Sequence, residues 1–335
     1  MSKNAVKPDE ADTSSDDKRG RQATKPTEIG WRGWYDIGRR VAANVQRHNI
    51  SLIAAGVALF FMLSIFPALN VAVSLYALVS SPQDIISHLQ PLQQLLPEQA
   101  FEILTEQLTE LAASEGATLN ITLVASLVVW FWVARKGAKA LITACNIVYD
   151  EYEKRPFWRL LLVAFLFTLV GIVGFVVLAL LAIVLPIVLG MIPMGEFVER
   201  LLTILRWPIL AMLFILALEC VYRFAPNRKN AKWRWVSVGA VIATVMWIAA
   251  SVGFTLYVQN FTNYNETYGA IGSVIILILW FYISALVVLV GAEINAEMEH
   301  QTKVDSTVGE DSPMGERGAY VADTVGSEPS NEKQQ

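Results

Sequence analysis

Apolar residues along this chain gather in six long runs, which are separated by segments rich in polar and charged residues. A helix rises about 1.5 Å per residue, so about 20 residues are needed to cross the hydrocarbon core of a bilayer, which is about 30 Å thick. The runs are close to this length or exceed it. The sequence therefore predicts an all-α, polytopic membrane protein with six transmembrane helices, at about 50–79, 119–135, 160–190, 207–224, 235–258 and 270–292.

The polar segments outside these runs include two tails and one long loop. We expect residues 1–30 and 300–335 to be disordered, because they cannot bury enough apolar surface to offset the entropy of ordering. The loop, residues 80–118, repeats leucines at helical spacing and carries glutamates four residues apart, which predicts an amphipathic helix outside the membrane. The glutamate column could hold a cation, but like charges at this spacing are typical of a solvated helix face.

Lysine and arginine are unevenly distributed between the segments that connect the runs. Ten precede the first run, six lie between the second and third, five between the fourth and fifth, and three after the sixth, whereas the alternate loops hold zero, two and zero. These counts include Arg135 and Arg223, which stand at the ends of the second and fourth runs. Basic residues near the ends of spans stay in the cytoplasm. The distribution therefore predicts that both the N and the C terminus are cytoplasmic.

Residues 31–48 combine basic and aromatic side chains just before the first run, as in Trp31, Arg32 and Trp34. Such side chains suit the headgroup region and anionic lipids at the cytoplasmic face. We therefore expect membrane lipids as partners and no specific nucleic acid, and assembly as a homo-oligomer stays open.

The sixth run carries small and polar side chains along one face of its predicted helix. At about 100° per residue, these positions fall into one sector. Lipid tails cannot satisfy a hydroxyl group, so this face should contact protein or water. Two interpretations stay open: a helix–helix packing surface, which is the more common one, and a polar path for a substrate. The stripe comprises Gly269, Ser273, Trp280, Ser284 and Gly291.

The composition fits a membrane protein and offers little catalytic chemistry. Hydrophobic residues make up 54% of the chain and charged residues 17%, against about 25% charged in soluble domains. The two cysteines lack a CxxC spacing, the three histidines are scattered, and no metalloprotease, nucleophile-elbow or phosphate-loop motif occurs. We therefore predict no catalytic, cofactor-binding or metal-binding residues. Glu219 and Arg223, four residues apart in the fourth run, are predicted to form an ion pair.

Several short motifs resemble one known family. They are the Gly-Ala-Glu-Ile-Asn sequence that closes the sixth run, the Tyr-Arg-Phe-Ala-Pro-Asn sequence that follows the fourth, and residues 137–155. These motifs are similar to those of the YihY/BrkB family of inner-membrane proteins, whose members were once labelled ribonuclease BN. The positions that carry the resemblance are Pro67, Asn146, Tyr149, Tyr222, Pro226, Asn227, Tyr264, Tyr268, Gly272, Glu293 and Asn295.

The resemblance implies a multi-pass protein of the bacterial cytoplasmic (inner) membrane. Together with the uncharged middles of the six runs, it leads us to expect a non-enzymatic protein that handles or transports a lipid or another envelope component. Two alternatives stay open. One is a membrane-bound ribonuclease that acts on tRNA precursors through the basic residues of 135–159 and 223–234, as the former label implies. The other is a scaffold for envelope assembly.

Overall fold

The computed structural model describes residues 19–77, 116–179, 181, 196–259 and 270–327. Within these residues the chain is helical and forms no β-strand, and a single isolated bridge joins Ala231 and Thr307. The predicted all-α fold class is thereby confirmed. The helices are α1 (Trp31–Arg47), α2 (Ile50–Ala77), α3 (Gly116–Val148), α4 (Phe157–Ala179), α5 (Glu196–Phe224), α6 (Trp233–Gln259), α7 (Ala270–Glu299) and the short α8 (Tyr320–Asp323).

Several helices are longer than the apolar runs that predicted them, α3 and α5 most of all. Helix α3 does not end at Arg135 but continues to Val148, so the predicted span and the segment after it form one helix. Lysine and arginine are good helix formers, and charges that end an apolar run therefore need not end a helix. Helix α5 likewise begins eleven residues before the predicted span at 207–224 and contains Pro208. The hydrophobic pattern therefore predicted helices at these two runs but not the helix ends.

Three of the described helices are long and apolar enough to cross a membrane. They contain the candidate spans Arg200–Phe224, Trp233–Val258 and Val274–Glu299. A fourth span results if helix α1 and residues Ile50–Ser64, which are bent by 64° relative to each other, are counted as one broken span. The described helices thus support a multi-pass membrane protein with three or four candidate spans, and the count of six stays a prediction.

The chain divides into two compact units. Unit 1 consists of Met1–Ala54, Leu141–Ala250 and Ser284–Gln335, and unit 2 of Ala55–Ala140 and Ser251–Ile283. The core of unit 1 mixes large apolar side chains with fully buried charged and polar ones. Such a core requires a partner for each buried charge, and these partners form the site described below.

The segments expected to be disordered tails are folded where the structure describes them. The backbone N–H of Lys303 donates to the Arg21 carbonyl at 2.8 Å, and the Arg21 guanidinium donates to the Gly326 carbonyl at 2.9 Å. Arg317 is buried and donates to three backbone carbonyls of the same C-terminal segment. The structure departs from the expectation for residues 19–30 and 300–327, because buried arginines supply the hydrogen bonds that order them.

Other expectations fall on residues that the structure does not describe. The outer loop was predicted for residues 80–118, and all of it but the start of helix α3 lies outside the described residues. The same holds for residues 1–18 and 328–335 of the two predicted tails.

Candidate functional site

The C-terminal end of helix α7 carries the candidate site. Every second residue from Glu293 to Glu299 is a buried carboxylate or amide, with at most 3% of its surface exposed. Residues two apart on a helix point to nearly opposite sides, whereas residues four apart share a face. Glu293 and Glu297 therefore share one set of neighbours, and Asn295 and Glu299 share another. A buried charge needs a partner, and all four of these side chains have at least one. The members are Glu293, Asn295, Glu297 and Glu299.

Glu293 is joined to the surface of unit 1 through His48. Its Oε2 lies 3.1 Å from Nδ1 of His48, and Nε2 of His48 lies 3.4 Å from Oδ1 of Asp150. The Asp150 side chain is one-third exposed, whereas Glu293 is fully buried. The three groups therefore form a chain of carboxylate, imidazole and carboxylate that leads from solvent into the core.

The electrostatics of this chain favour the charged forms of its outer members. Burial alone would lower the pKa of His48, but its hydrogen bonds to Asp150 and Glu293, and their charges, raise that pKa to about 9. Burial would raise the pKa of Asp150, but the hydrogen bond from His48 and the charge of Arg47 lower it overall. The Arg47 Nη2 donates to Oδ2 of Asp150 at 2.7 Å. Near neutral pH, His48 is thus an imidazolium beside an ionised Asp150.

The backbone presents both His48 and Asp150 in turns with left-handed residues. Asn49, which follows His48 between helices α1 and α2, has φ of 51°, and Asp150, just after helix α3, has φ of 52°. Asparagine and aspartate tolerate this conformation better than other non-glycine residues. The sequence can therefore end both helices sharply at the point where their side chains reach helix α7.

Glu299 and Arg228 form a second, fully buried ion pair. Two guanidinium nitrogens of Arg228 donate to the two carboxylate oxygens of Glu299, at 2.6 and 3.1 Å, and both side chains are 0% exposed. Ser306 donates a further bond to Glu299 at 2.7 Å, and the guanidinium lies 4.4 Å from the centre of the Tyr149 ring. Burial would lower the pKa of Arg228, but the charge of Glu299 raises it overall. This geometry anchors the loop after helix α5 to the end of α7.

Glu297 is held by helix α1. Arg40 donates from Nε to Glu297 and from Nη2 to Oε1 of Gln301, the latter at 2.7 Å. Asn44, one turn further along α1, donates to Glu297 Oε1 at 2.7 Å. The polar face of α1 thus binds the last turn of α7.

Asn295 fixes helix α7 against helix α6. Its Nδ2 donates to the Val236 carbonyl at 3.0 Å, and its Oδ1 accepts the N–H of Gly239 at 2.8 Å. A Cβ atom on Gly239 would overlap the Asn295 side chain. Glycine is required here because the amide group occupies the space of a side chain.

Two positions of the predicted stripe on helix α7, Ser284 and Gly291, lie in unit 1 and are close to residues of other helices. A Cβ on Gly291 would lie 2.5 Å from the Tyr222 hydroxyl and 2.6 Å from Cβ of Ala243, and Ser284 accepts a hydrogen bond from the Trp247 indole at 3.0 Å. In unit 2, the Trp280 ring lies 5.5 Å from that of Phe254. Gly269 lies outside the described residues, and the side chain of Ser273 is not among those described.

The predicted pair of Glu219 and Arg223 is not among the ion pairs of the described residues. The guanidinium of Arg223 lies instead 4.3 Å from the centre of the Trp233 ring and 5.6 Å from that of Phe224. An aromatic face is a competing partner for arginine, and the weak attraction of a helical i,i+4 pair does not outweigh it here.

Most of the described motif positions gather in unit 1. Asn146 accepts the backbone N–H of Asn227 at 2.7 Å and donates to Glu153 at 3.0 Å. Pro226 precedes Asn227 in the same turn, and its carbonyl accepts the N–H of Arg228 at 3.0 Å. Tyr149 and Tyr222 are fully buried, and the Tyr222 hydroxyl donates to the Val288 carbonyl at 2.8 Å.

The remaining motif positions are described in part or not at all. Gly272 is buried in helix α7. Pro67 lies within helix α2, but its side chain is not among those described, and Tyr264 and Tyr268 lie outside the described residues.

Sequence reasoning identified Glu293 and Asn295 but missed their partners. A signal was present: four polar residues alternate through an otherwise apolar helix end, which requires partners on several sides. Within the described part of the chain, no group of three or more histidine, cysteine, aspartate or glutamate side chains is arranged to hold a metal ion. The residues that were missed are Arg40, Asn44, His48, Asp150, Arg228, Glu297 and Glu299.

Comparison with known proteins decides the family. The model of the family described as Virulence factor BrkB matches residues 41–314, which include nearly all of the site. The chain belongs to this family. A Bacillus subtilis relative described as ribonuclease-like protein YfkH is 33% identical over 259 residues, which are 75% of this chain and 90% of the relative.

Shorter matches join the chain to proteins described as UPF0761 membrane proteins. The one from Idiomarina loihiensis is 33% identical over 104 residues, 31% of this chain and 36% of the relative. The one from Alteromonas mediterranea is 42% identical over 84 residues, 25% of this chain and 28% of the relative. No solved structure matches the chain. The comparisons and the apolar helices together identify a multi-pass membrane protein of the BrkB family.

Proposed function

We propose that this BrkB-family protein is a non-enzymatic protein of the bacterial cytoplasmic membrane that handles or transports a lipid or another envelope component. The observation that carries the proposal is the separation of charge from apolar surface. The buried charges at the end of helix α7 are paired within unit 1, whereas the apolar helices expose large aliphatic side chains. Examples are Val170, Ile204, Met212 and Val245. Exposed apolar surfaces of this kind are suited to contact with membrane lipid. They also support a lipid as the substance that the protein handles.

Exposed aromatic and basic side chains support an interaction with lipid headgroups. Trp31, Tyr152 and Trp158 are each at least 75% exposed, and the Arg32 guanidinium lies 5.8 Å from the centre of the Trp31 ring. Tryptophan and tyrosine are enriched at the membrane–water boundary, and arginine is attracted to anionic lipids. Six spans and cytoplasmic termini remain part of this proposal, and the distribution of lysine and arginine supports them.

Vesicles that contain the purified full chain test the transport function. We expect them to exchange a fluorescent phospholipid between leaflets faster than empty vesicles and than vesicles with an unrelated membrane protein. If none of the major envelope lipids is accelerated, the lipid-handling function is wrong. A partner that co-purifies stably, with no transport, would favour the scaffold instead.

The description of the Bacillus relative supports the ribonuclease alternative only by name. The same purified protein, incubated with a tRNA precursor, tests it. We expect no cleavage. Cleavage that is lost in an Asp150→Asn variant would replace the proposed function with a nuclease.

Cysteine labelling tests the proposed topology. In a Cys145→Ala/Cys220→Ser background, a reagent that cannot cross membranes should label a cysteine at position 94 in intact cells and should not label one at position 14. The reverse pattern would contradict the cytoplasmic termini.

A further inference from the structure

Glu293 has an oxygen atom that the rest of the site leaves without a partner. The side chain is fully buried and its Oε2 faces His48. Its Oε1 forms no hydrogen bond of normal geometry among the described residues, and the nearby Asn44 amide donates to Glu297 instead. A buried carboxylate oxygen without a donor is costly, and such groups call for an explanation. A proton on this carboxyl group would remove the buried charge.

His48 has partners for its Nε2 atom whether or not that atom carries a proton. When Nε2 is unprotonated, it can accept the N–H of Arg47, whose Nη2 lies 2.9 Å away. When Nε2 is protonated, it can donate to Oδ1 of Asp150 at 3.4 Å. Nδ1 donates to Glu293 in both cases. The imidazole can therefore gain and lose a proton without leaving a buried atom unpaired, as a proton relay must.

Charged and titratable groups surround Glu293 on several elements. Asp150 and Tyr149 follow helix α3, His48 follows helix α1, and Glu297 lies one turn along α7. Arg47, Arg40 and Arg228 balance these groups, each in an ion pair with a carboxylate. Glu297 and Glu299 face guanidinium groups, whereas Glu293 faces an imidazole that can give up its proton.

We infer that Glu293 is a proton-binding site of this protein, which exchanges its proton with solvent through His48 and Asp150. The relay starts from the neutral form of His48, whose proton is on Nδ1. A proton from solvent passes through Asp150, whose side chain is one-third exposed, to the free Nε2 atom of His48. The N–H bond at Nδ1 then breaks while an O–H bond forms on Oε2 of Glu293, which leaves His48 neutral with its proton on Nε2. One proton enters from solvent and one proton becomes bound to Glu293, so the number of protons balances and no other bond is broken. The inference does not depend on what the protein transports.

Infrared difference spectroscopy of the purified full chain in detergent tests the inference. We expect the carbonyl band of a protonated carboxylic acid to appear as the pH is lowered from about 8 to about 5, a range in which buried carboxyl groups bind protons. The band should shift in protein made by cell-free synthesis with glutamate labelled with ¹³C at Cδ. This measurement needs no variant, so it does not depend on a variant that folds.

Variants on one helix then locate the band. We expect it to be lost in Glu293→Gln and kept in Glu297→Gln, whose carboxylate is paired with Arg40. After a rapid drop in pH, His48→Gln should slow its appearance, while His300→Gln, also within unit 1, should not. A band that is absent, that does not shift on glutamate labelling, or that survives Glu293→Gln in folded protein would overturn the inference.

Discussion

The two units of this protein are stabilised by different kinds of contact. In unit 1, the end of helix α7 is bound by buried ion pairs and amide hydrogen bonds, such as Glu299 with Arg228. In unit 2, the described contacts include two aromatic pairs, Phe61 with Phe281 at 6.2 Å and Phe254 with Trp280 at 5.5 Å. In both units the contacting residues are far apart in the sequence. The units therefore differ in the chemistry of the contacting side chains and not in the range of the contacts.

The comparison shows what each environment demands of the chain. In a helix segment surrounded by lipid, the backbone groups are hydrogen-bonded within the helix. Such a segment can pack on another helix through complementary side-chain shapes alone. A helix end brings unpaired carbonyl groups, and helix α7 adds three carboxylates to them. Unit 1 must therefore supply a cation or a hydrogen-bond donor to each buried carboxylate. Removal of one such partner leaves a buried charge that is not neutralised. We expect substitutions in unit 1 to be the more costly.

The largest effect should follow from Arg228→Met, which leaves Glu299 as a buried charge without its cation. Breaking such a pair costs about 3–5 kcal/mol. We expect the variant to melt at a much lower temperature in detergent, or to fail to accumulate. Arg228→Met/Glu299→Leu should recover part of the loss.

The matched control for Arg228 is Lys232→Met in the same loop. Lys232 donates to Asp311, which is 73% exposed, and to the Asp305 carbonyl at 3.0 Å. The ion pair with Asp311 is screened by water and should contribute less than about 1 kcal/mol, so Lys232→Met should cost much less than Arg228→Met. If both variants melt at the same temperature, the buried pair does not stabilise unit 1 as described.

The next largest effect on stability should distinguish alanine substitutions at two glycines of helix α6. Gly239→Ala places a methyl group into the Asn295 side chain, and we expect a loss of about 1–3 kcal/mol from overpacking. Gly253 has open space around its Cα, so Gly253→Ala should be neutral or stabilise by up to about 1 kcal/mol through helix propensity. Thermal unfolding of both variants checks this. Equal tolerance would show that α6 and α7 are not in close contact at Gly239.

A pH effect should follow from His48, whose pKa is raised to about 9 in the folded protein from an ordinary value of 6.5. The stabilisation that this shift supplies is fully present below about pH 6.5 and is lost as the pH rises through about 9. With allowance for solvent screening, it amounts to about 1–3 kcal/mol. The melting temperature should therefore fall between about pH 7 and 10, and less so in His48→Gln. An identical slope in the variant would contradict the role of His48.

The smallest effect is expected in unit 2, from Phe254→Leu. An aromatic pair contributes about 0.5–1.5 kcal/mol beyond the area that it buries, and leucine keeps most of the apolar contact with Trp280. We expect a small decrease in melting temperature with no pH dependence. A loss as large as that of Arg228→Met would remove the distinction between the two units.

Much of the fold, and little of the site, could be predicted from the sequence. Hydropathy predicted all-helical spans because each apolar run must satisfy its backbone within itself, a local property. The stripe on α7 stays a prediction, and two of its positions, Ser284 and Gly291, lie close to residues of other helices. The partner of Glu293, by contrast, lies 245 residues away, and no local pattern relates His48 to it. A local rule also failed for Glu219 and Arg223, because the Trp233 ring competes for the guanidinium.

The hydrogen bonds between the two ends of unit 1 limit how the chain can be threaded through a membrane. Arg21 donates to the Gly326 carbonyl, and Lys303 donates to the Arg21 carbonyl, so both segments lie on the same side. A chain that leaves one side and returns to it has crossed an even number of times. Three crossings between Arg21 and Lys303 are incompatible with these bonds, whereas four or six satisfy them, and reporters fused to the two ends should detect the same compartment.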